Sequence, residues 1–287
     1  MEKFQIVTDS ACDFSAGEYD ALGIRAVPLK VEFRGIFSDD RNDDSLKDFY
    51  EGLRKGDAAT TAAVNPEQWR AAMEPALAQG RDVLVLAFSS GLSTTCQSAQ
   101  IAARELLEAY PRRQIRVVDT LCASMGQGLL VWYACRRRDA GMSLEETYNW
   151  CMENRLHLCH WFTVDDLFFL KRGGRISGAT ALVGTMLNIK PVLHVDNEGH
   201  LISVSKARGR KAAIEALVKQ AETLGAGFDN ETIAISHGDC REDAEYLARL
   251  MKQRLGVKNV IINYVGAVIG SHSGPGTLAL FFLGAHR

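Results

Sequence analysis

The sequence predicts an α/β protein: an N-terminal, mostly parallel sheet flanked by helices, then a second α+β domain, with a ligand site near the cleft between them. Three observations carry that expectation. Short apolar runs alternate with amphipathic helical stretches through the first half of the chain, the pattern of right-handed βαβ crossovers. Three of those runs end in polar clusters, Thr8-Asp9-Ser10, Ser89-Ser90 and Asp119-Thr120, and parallel sheets bind ligands outside the carboxyl ends of their strands. Near residue 160 the alternation gives way to closely spaced strands around a polar turn.

Taken in order, residues 4–8 read as the first strand, followed by the polar turn Asp9-Ser10-Ala11-Cys12-Asp13. Residues 23–33 are β-rich, and 43–54 form an amphipathic helix. Asn65-Pro66-Glu67-Gln68 opens a helix to about residue 79, with Asn as N-cap, Pro at the first helical position and Gln at the capping-box position. A strand at 83–88, a helix of about 94–109, a strand at 114–118 and a helix at 124–140 follow. Ser143-Leu144-Glu145-Glu146 is a second capping box, opening a helix to about 156. Residues 1–158 form the first domain in this reading and 159–287 the second. In the second, 161–164 is a short strand and 167–170 leads into Lys171-Arg172-Gly173-Gly174-Arg175. Strands at 191–195 and 200–205 flank the hairpin turn Asp196-Asn197-Glu198-Gly199. Then come a helix at 210–224, a strand at 232–236, and a helix at 240–255 that Asp239 caps and Gly256 closes. A strand at 259–264 precedes the segment 268–276.

Of the 287 residues, 47% are hydrophobic and 24% charged, and the formal net charge is −2. Such a chain buries a full core, and its near-neutral balance leaves no electrostatic case for nucleic-acid or membrane-surface binding. The chain enters a strand-like run at once, and no stretch approaches the ~18 apolar residues of a spanning helix. A cytoplasmic protein without stable membrane insertion is therefore expected. The seven cysteines (12, 96, 122, 135, 151, 159 and 240) form no CxxC pair and read as reduced, buried thiols. Cys151, His157, Cys159 and His160 are close in sequence, but their spacing matches no standard zinc pattern, so no metal is expected.

Residues 83–95 run from a buried strand through Ser89-Ser90-Gly91-Leu92-Ser93-Thr94-Thr95 into a helix. A helix N-terminus entered through small hydroxyl residues is an anion site, because free backbone N–H groups and the positive end of the dipole face the ligand. The stretch holds no histidine, carboxylate or lysine to activate a hydroxyl, so Ser93 either reacts with an anion using a distant base or merely holds one. It can also serve only as an N-cap, worth about 1 kcal/mol. Thr61 sits in a loop reaching the helix that starts at Asn65, and a backbone-bonded loop hydroxyl is its plain alternative. His272 lies between a strand and a Gly-Pro-Gly turn, where a structural histidine is the plain alternative. Gly91-Leu92-Ser93-Thr94-Thr95 lacks the second glycine of a nucleophile elbow, and Gly173-Gly174-Arg175 lacks P-loop spacing. Lys171, Arg172 and Arg175 fit an anion, a protein partner or a solvated loop. Arg208, Arg210 and Lys211 stand at a helix start, where the dipole disfavours cations, and so point to a partner.

Several segments together resemble the DegV family of bacterial fatty-acid-binding proteins. They are Ile6-Val7-Thr8-Asp9-Ser10, Thr61-Ala62-Ala63-Val64-Asn65-Pro66, Ser89 to Ser93 with Gln97-Ser98-Ala99, and Val118-Asp119-Thr120 with Ala123-Ser124-Met125-Gly126. The most specific are Leu170-Lys171-Arg172-Gly173-Gly174-Arg175-Ile176-Ser177 with Asn188-Ile189-Lys190-Pro191, and Ile269-Gly270-Ser271-His272-Ser273-Gly274-Pro275-Gly276. The resemblance implies a two-domain, cofactor-free carrier of one long-chain fatty acid, not an enzyme, with the acyl chain buried and the carboxylate near the domain cleft. It further implies presentation of that carboxylate to a separate ATP-dependent fatty acid kinase, which makes acyl phosphate for phospholipid synthesis. Thr61, Ser93 and His272 match the carboxylate holders, the last adding charge if protonated. Arg172, Arg175 and Arg208 match positions for kinase docking. Ala62 and Val64 replace the family's usual Ser and Pro, Thr94 stands where Gly is usual, and Cys96 where Tyr is. These departures bear on carboxylate geometry and chain-length preference. The expected tail lining is 179–193 and 278–283. Two other readings stand beside the carrier: a serine esterase or acyltransferase using Ser93 as nucleophile and His272 as base, and a lipid-binding sensor with no kinase partner.

Overall fold

The computed structural model describes residues 4–40, 42–176 and 188–287. Strands β1 (Gln5–Asp9), β2 (Arg25–Val27), β6 (Val83–Ala87) and β7 (Ile115–Asp119) form a parallel sheet in the order β2-β1-β6-β7. Between β2 and β6 the chain makes a small antiparallel sheet, β4-β3-β5, from β3 (Lys30–Phe33), β4 (Ile36–Asp39) and β5 (Ala59–Ala62). From Leu158 onward a third, mixed sheet runs β10-β9-β8-β13-β11-β12. Its strands are β8 (Leu158–Thr163), β9 (Ile189–Val195), β10 (Leu201–Arg208), β11 (Thr232–His237), β12 (Asn259–Tyr264) and β13 (Leu278–Leu283), and its one parallel pair is β11 with β12.

The apolar runs are buried on both faces, as parallel strands must be. Along β6, Val83, Val85 and Ala87 face a core with Trp69 and Met73 of α3 (Pro66–Ala78) and Ala99 and Leu106 of α4 (Thr95–Ala109). Leu84 and Leu86 point the other way, to Met125, Leu129 and Leu130 of α5 (Met125–Asp139). That second core continues to Leu193, Ala234 and Phe281 of the mixed sheet, so α5 lies between two sheets. Residues 125–131 are accordingly buried all round the helix. Helix α6 (Leu144–Asn154) adds Leu144 and Cys151 to the same core. The far face of the mixed sheet is closed by α8 (Arg210–Leu224) and α9 (Arg241–Leu255). Strand pairing divides near residue 158, whereas the apolar core crosses it.

Capping boxes at Asn65 and Ser143 form as the sequence predicts. Four expectations are corrected. Thr61 lies in β5, an edge strand of a sheet the sequence did not announce, because Ala59-Thr60-Thr61-Ala62 has no apolar alternation. Helix α4 begins at Thr95, with Thr94 as N-cap; Ser93 sits one residue earlier, where its Oγ accepts the Thr95 N–H at 3.2 Å. Cys240, not Asp239, is the N-cap of α9; Asp239 has φ +55° and turns its carboxylate to Arg54 of α2 (Ser45–Lys55). His272 stands on a short helix, α10 (Ala267–Ser273), rather than in an open segment.

Candidate functional site

The three polar clusters at the ends of β1, β6 and β7 do converge, and they are largely spent on one another. Asp9 accepts the Phe88 N–H at 2.8 Å, Asp119 accepts the Ser90 N–H at 3.1 Å, and Thr120 donates to Ala87 O at 2.7 Å. This knits a platform, and beyond it opens a cavity of about 410 Å³, within the usual range for a small-molecule site. The platform side of its wall is Phe88, Ser90 and Leu92; the opposite side is Phe162, Ala279 and Phe281 of the mixed sheet, with Val268 and Ile269 of α10 closing over it.

One end of this apolar chamber is polar. Thr61, Ser93, Thr94, Arg175 and His272 line it together. Thr61 Oγ1 and His272 Nε2 are 2.9 Å apart, although 211 residues separate them. Ser93 Oγ lies 2.8 Å from Thr95 Oγ1 at the N-terminus of α4, whose dipole favours an anion there. Arg175, partly buried, donates to Leu92 O at 3.0 Å and to Gly173 O. Burial, with the guanidinium groups of Arg175 and Arg172 adding to it, pushes the His272 imidazole down to about 4. At neutral pH the ring is uncharged, so it exchanges one hydrogen bond with Thr61 rather than adding a positive charge.

Three buried carboxylates hold this end in place. Asp40 accepts the Val268 N–H at 3.1 Å and the Ser10 hydroxyl at 2.9 Å, and Asp13 accepts the Gly266 N–H at 3.0 Å and the Ser124 hydroxyl. Together they satisfy free amides at the start of α10, the helix that carries His272. Burial pushes Asp9 up to about 7 and Asp40 up to about 6, and it raises Asp13 well above the usual carboxylate range.

With this geometry in view, the comparisons with known proteins are specific. A family model described as "uncharacterised protein, DegV family" matches residues 3–285. The chain belongs to the DegV family. A DegV domain-containing protein of Clostridium perfringens is 46% identical over 99% of this chain and 98% of its own length. Among solved structures, one on fatty acid binding by a DegV family protein from Thermus thermophilus is 35% identical, with a TM-score of 0.87, covering 98% of this chain and 99% of that one. A DegV lipid-binding protein of Thermotoga maritima is 29% identical, TM-score 0.85, covering 99% of each chain. DegV of Bacillus subtilis, a fatty acid binding protein, is 28% identical, TM-score 0.82, covering 98% of this chain and 99% of that one. The α/β architecture read from the sequence is thus the DegV architecture.

Within that architecture Thr61, Ser93, Arg175 and His272 share one cavity, while Arg172 and Arg208 lie outside its wall. Arg172 is exposed on α7 (Leu167–Arg172) with its guanidinium 4.9 Å from the Phe169 ring centroid, and Arg208 is exposed at the end of β10. The expected tail lining changes. In β13 Ala279 and Phe281 face the cavity, whereas Leu278, Leu280 and Phe282 face α8 and α9, because strand side chains alternate. Of the expected segment 179–193, residues 179–187 lie outside the described residues, and the lining contributed near it is Val195 and Leu201. Cys151, His157, Cys159 and His160 do not converge on a metal. His157 Nδ1 and His160 Nδ1 each bond a backbone carbonyl at 2.9 Å, and the seven cysteines are free. Among the described residues the one group with metal-ligand geometry is Asp196, half-buried, with the exposed Glu198 and His200, on the β9–β10 turn. Sequence reasoning missed Asp40 and Phe88, which carried no motif; Asp13 was visible only as part of a polar turn. Among the described residues no helix is long and apolar enough to cross a membrane.

Proposed function

We propose that this chain binds one long-chain fatty acid, with the acyl chain in the cavity and the carboxylate held by Thr61, Ser93 and His272. The observation that carries the reading is the cavity's polarity: an apolar chamber whose polar end is a helix N-terminus with two hydroxyls and an imidazole. A 16-carbon chain at ~0.8 kcal/mol per buried CH₂ supplies ~10 kcal/mol before the costs of association, so the tail sets affinity and the polar end sets orientation. The DegV relatives described as fatty-acid- or lipid-binding support the same reading.

In this reading the protein is a cofactor-free cytoplasmic carrier, its two units (1–158 and 159–287) meeting at the cavity, and it presents the carboxylate to a separate fatty acid kinase that forms acyl phosphate for phospholipid synthesis. The exposed cations Arg172 and Arg208 are docking contacts for that kinase. Arg175, which lines the cavity, serves the ligand's charge, docking, or both. Mass spectrometry of denatured purified protein tests the first step, with near one-to-one fatty acid expected; protein that stays lipid-free and takes up none on addition would defeat it. Kinase-dependent acyl phosphate formation should fall in Arg172→Ala and Arg208→Ala with lipid still bound. Unchanged acyl phosphate formation in both would remove Arg172 and Arg208 as docking contacts, and lipid-loaded wild type that yields no acyl phosphate with the kinase would leave the lipid-binding sensor as the better reading.

The serine-hydrolase alternative draws little from the geometry. No hydrogen bond joins Ser93 to His272 among the described residues; Ser93 bonds Thr95 and His272 bonds Thr61. A general base works best with a pKa near the operating pH, and His272 is held near 4. A fluorophosphonate probe is therefore expected to leave Ser93 unlabelled.

A further inference from the structure

Phe37, 76% exposed, and Ile36, 68% exposed, are the two most exposed large apolar side chains among the described residues, and they are adjacent on β4. Successive strand residues point to opposite faces, so the described residues cover neither face of β4 there. β4 is also a terminal strand of its sheet, and its free edge offers backbone groups. Asp40 donates its N–H to Leu29 O at 2.9 Å, one step beyond the Lys30–Asp39 pair of the β3–β4 ladder. Bonded and non-bonded pairs alternate along an antiparallel ladder. Val31–Ser38 is therefore bonded and Glu32–Phe37 is not, so the N–H and C=O of Phe37 point away from β3. The hairpin is held firmly: Arg34 lies 4.7 Å over the Phe33 ring and pairs with Asp48 and Asp57, and Phe33 packs on Phe49. Proteins blunt free edges with bulges and lysines. β10, the other edge strand with exposed apolar residues (Ile202 and Val204), has both, a register shift between Ser203 and Ser205 and then Lys206. β4, in unbroken register, has neither.

The place of this edge indicates what fits it. Val31 pairs with Ser38 on one side and with Thr61 on the other, so β4 lies two strand spacings, about 10 Å, from the strand that carries Thr61. An enzyme working on a carboxylate at Thr61 and His272 therefore has β4 within reach. The surroundings are acidic: residues 32–57 hold eight Asp or Glu and five Lys or Arg. A strand laid beside β4 would bond the outward N–H and C=O of Phe37. Its alternate side chains would cover Ile36 on one face and Phe37 on the other, the geometry of strand addition. We propose that β4 is a docking edge for the enzyme that acts on the bound carboxylate, which adds an extended segment, apolar at alternate positions and flanked by basic residues. This rests on the kinase reading above and names a contact surface for that partner separate from Arg172 and Arg208.

The test is kinase-dependent acyl phosphate formation with the lipid-loaded full chain, comparing wild type, Phe37→Pro and the double variant Ile36→Ser, Phe37→Ser. Phe37→Pro deletes an N–H that β3 does not use, and the double variant removes only exposed side chains. Both should bind hexadecanoic acid within about twofold of wild type, which also reports that they fold. The KM for the loaded protein should rise about tenfold in both, with kcat unchanged. An unchanged KM in either variant overturns the proposal. Fatty acid affinity that falls along with the rise in KM overturns it too, because β4 would then act on the cavity. Phe37-dependent dimers of the wild type in sedimentation overturn it by making a second copy the occupant. Loaded wild type that yields no acyl phosphate fails the kinase reading and this proposal together, whereas the other outcomes leave that reading intact.

Discussion

Asp40 Oδ1 accepts the backbone N–H of Val268 at 3.1 Å, one helical turn before His272 on the same helix. A buried carboxylate from the end of β4 thereby sets the position of an imidazole that meets Thr61 on β5. The cavity's polar end is built by an acid that does not line it.

That arrangement has a pH signature. Burial raises Asp40 from 3.8 to about 6 in the folded state, so the folded protein holds a proton that the unfolded chain has released. Its contribution to stability is fully present below pH ~3.8 and lost as pH rises to about 6, an effect on the order of 2–3 kcal/mol. His237 and His272, both lowered to about 4, act with the opposite sign between about 4 and 6.5. The informative quantity is therefore a difference. The stability of Asp40→Asn relative to wild type should improve between pH 4 and pH 7 in denaturant titrations. A relative stability that does not change with pH would contradict the burial-raised carboxyl.

Gly173 and its neighbour separate space from strain. A Cβ at Gly173 would lie 2.1 Å from His272 Nδ1, so Gly173→Ala must displace the ring and disturb its bond to Thr61. Gly174 has φ +71° with no atom within 4 Å of the corresponding Cβ. Gly174→Ala should therefore cost about 1 kcal/mol in backbone strain and leave the cavity intact. Fatty acid affinity should fall only in Gly173→Ala, and equal loss in both would show that the loop, not the ring contact, matters.

Ala279 faces the cavity from the middle of the mixed sheet, between neighbours that include Phe162 and Phe281. Ala279→Phe projects a ring into the chamber that the acyl chain would fill. Folding should be affected by no more than about 1–3 kcal/mol, because the void accepts most of the added volume. Affinity for 16- to 18-carbon acids should drop at least about tenfold, and 10- to 12-carbon acids should lose less, since each CH₂ excluded costs ~0.8 kcal/mol. A loss independent of chain length would move the tail out of this chamber.

Arg287 is 8% exposed, and its guanidinium donates to the carbonyls of Leu121, Asp196 and Arg155 at 2.6, 3.0 and 2.6 Å. It ties the β9–β10 turn and the loop after β7 to the C-terminal end of α6. Arg287→Ala leaves several buried carbonyls unpaired and should cost about 2–4 kcal/mol by thermal or denaturant unfolding. Amide exchange should quicken at residues 120–123 and 196–199; exchange confined to the chain end would refute the coupling.

Local chemistry in the sequence determined much of this protein. The capping boxes at Asn65 and Ser143, the buried run of β6 and the glycine after α9 depend on neighbours a few residues away, so they could be read directly. The polar end of the site was legible in part for the same reason, as hydroxyls at a strand-to-helix turn. Tertiary structure alone decided the rest, because those outcomes depend on partners distant in sequence. Strand β5 exists because Thr61 pairs with Val31, not because its own residues favour a strand. The charge of His272 follows from burial and from Arg175, neither of which its own segment encodes. Which residues of β13 face the cavity depended on how α8 and α9 cover the opposite face.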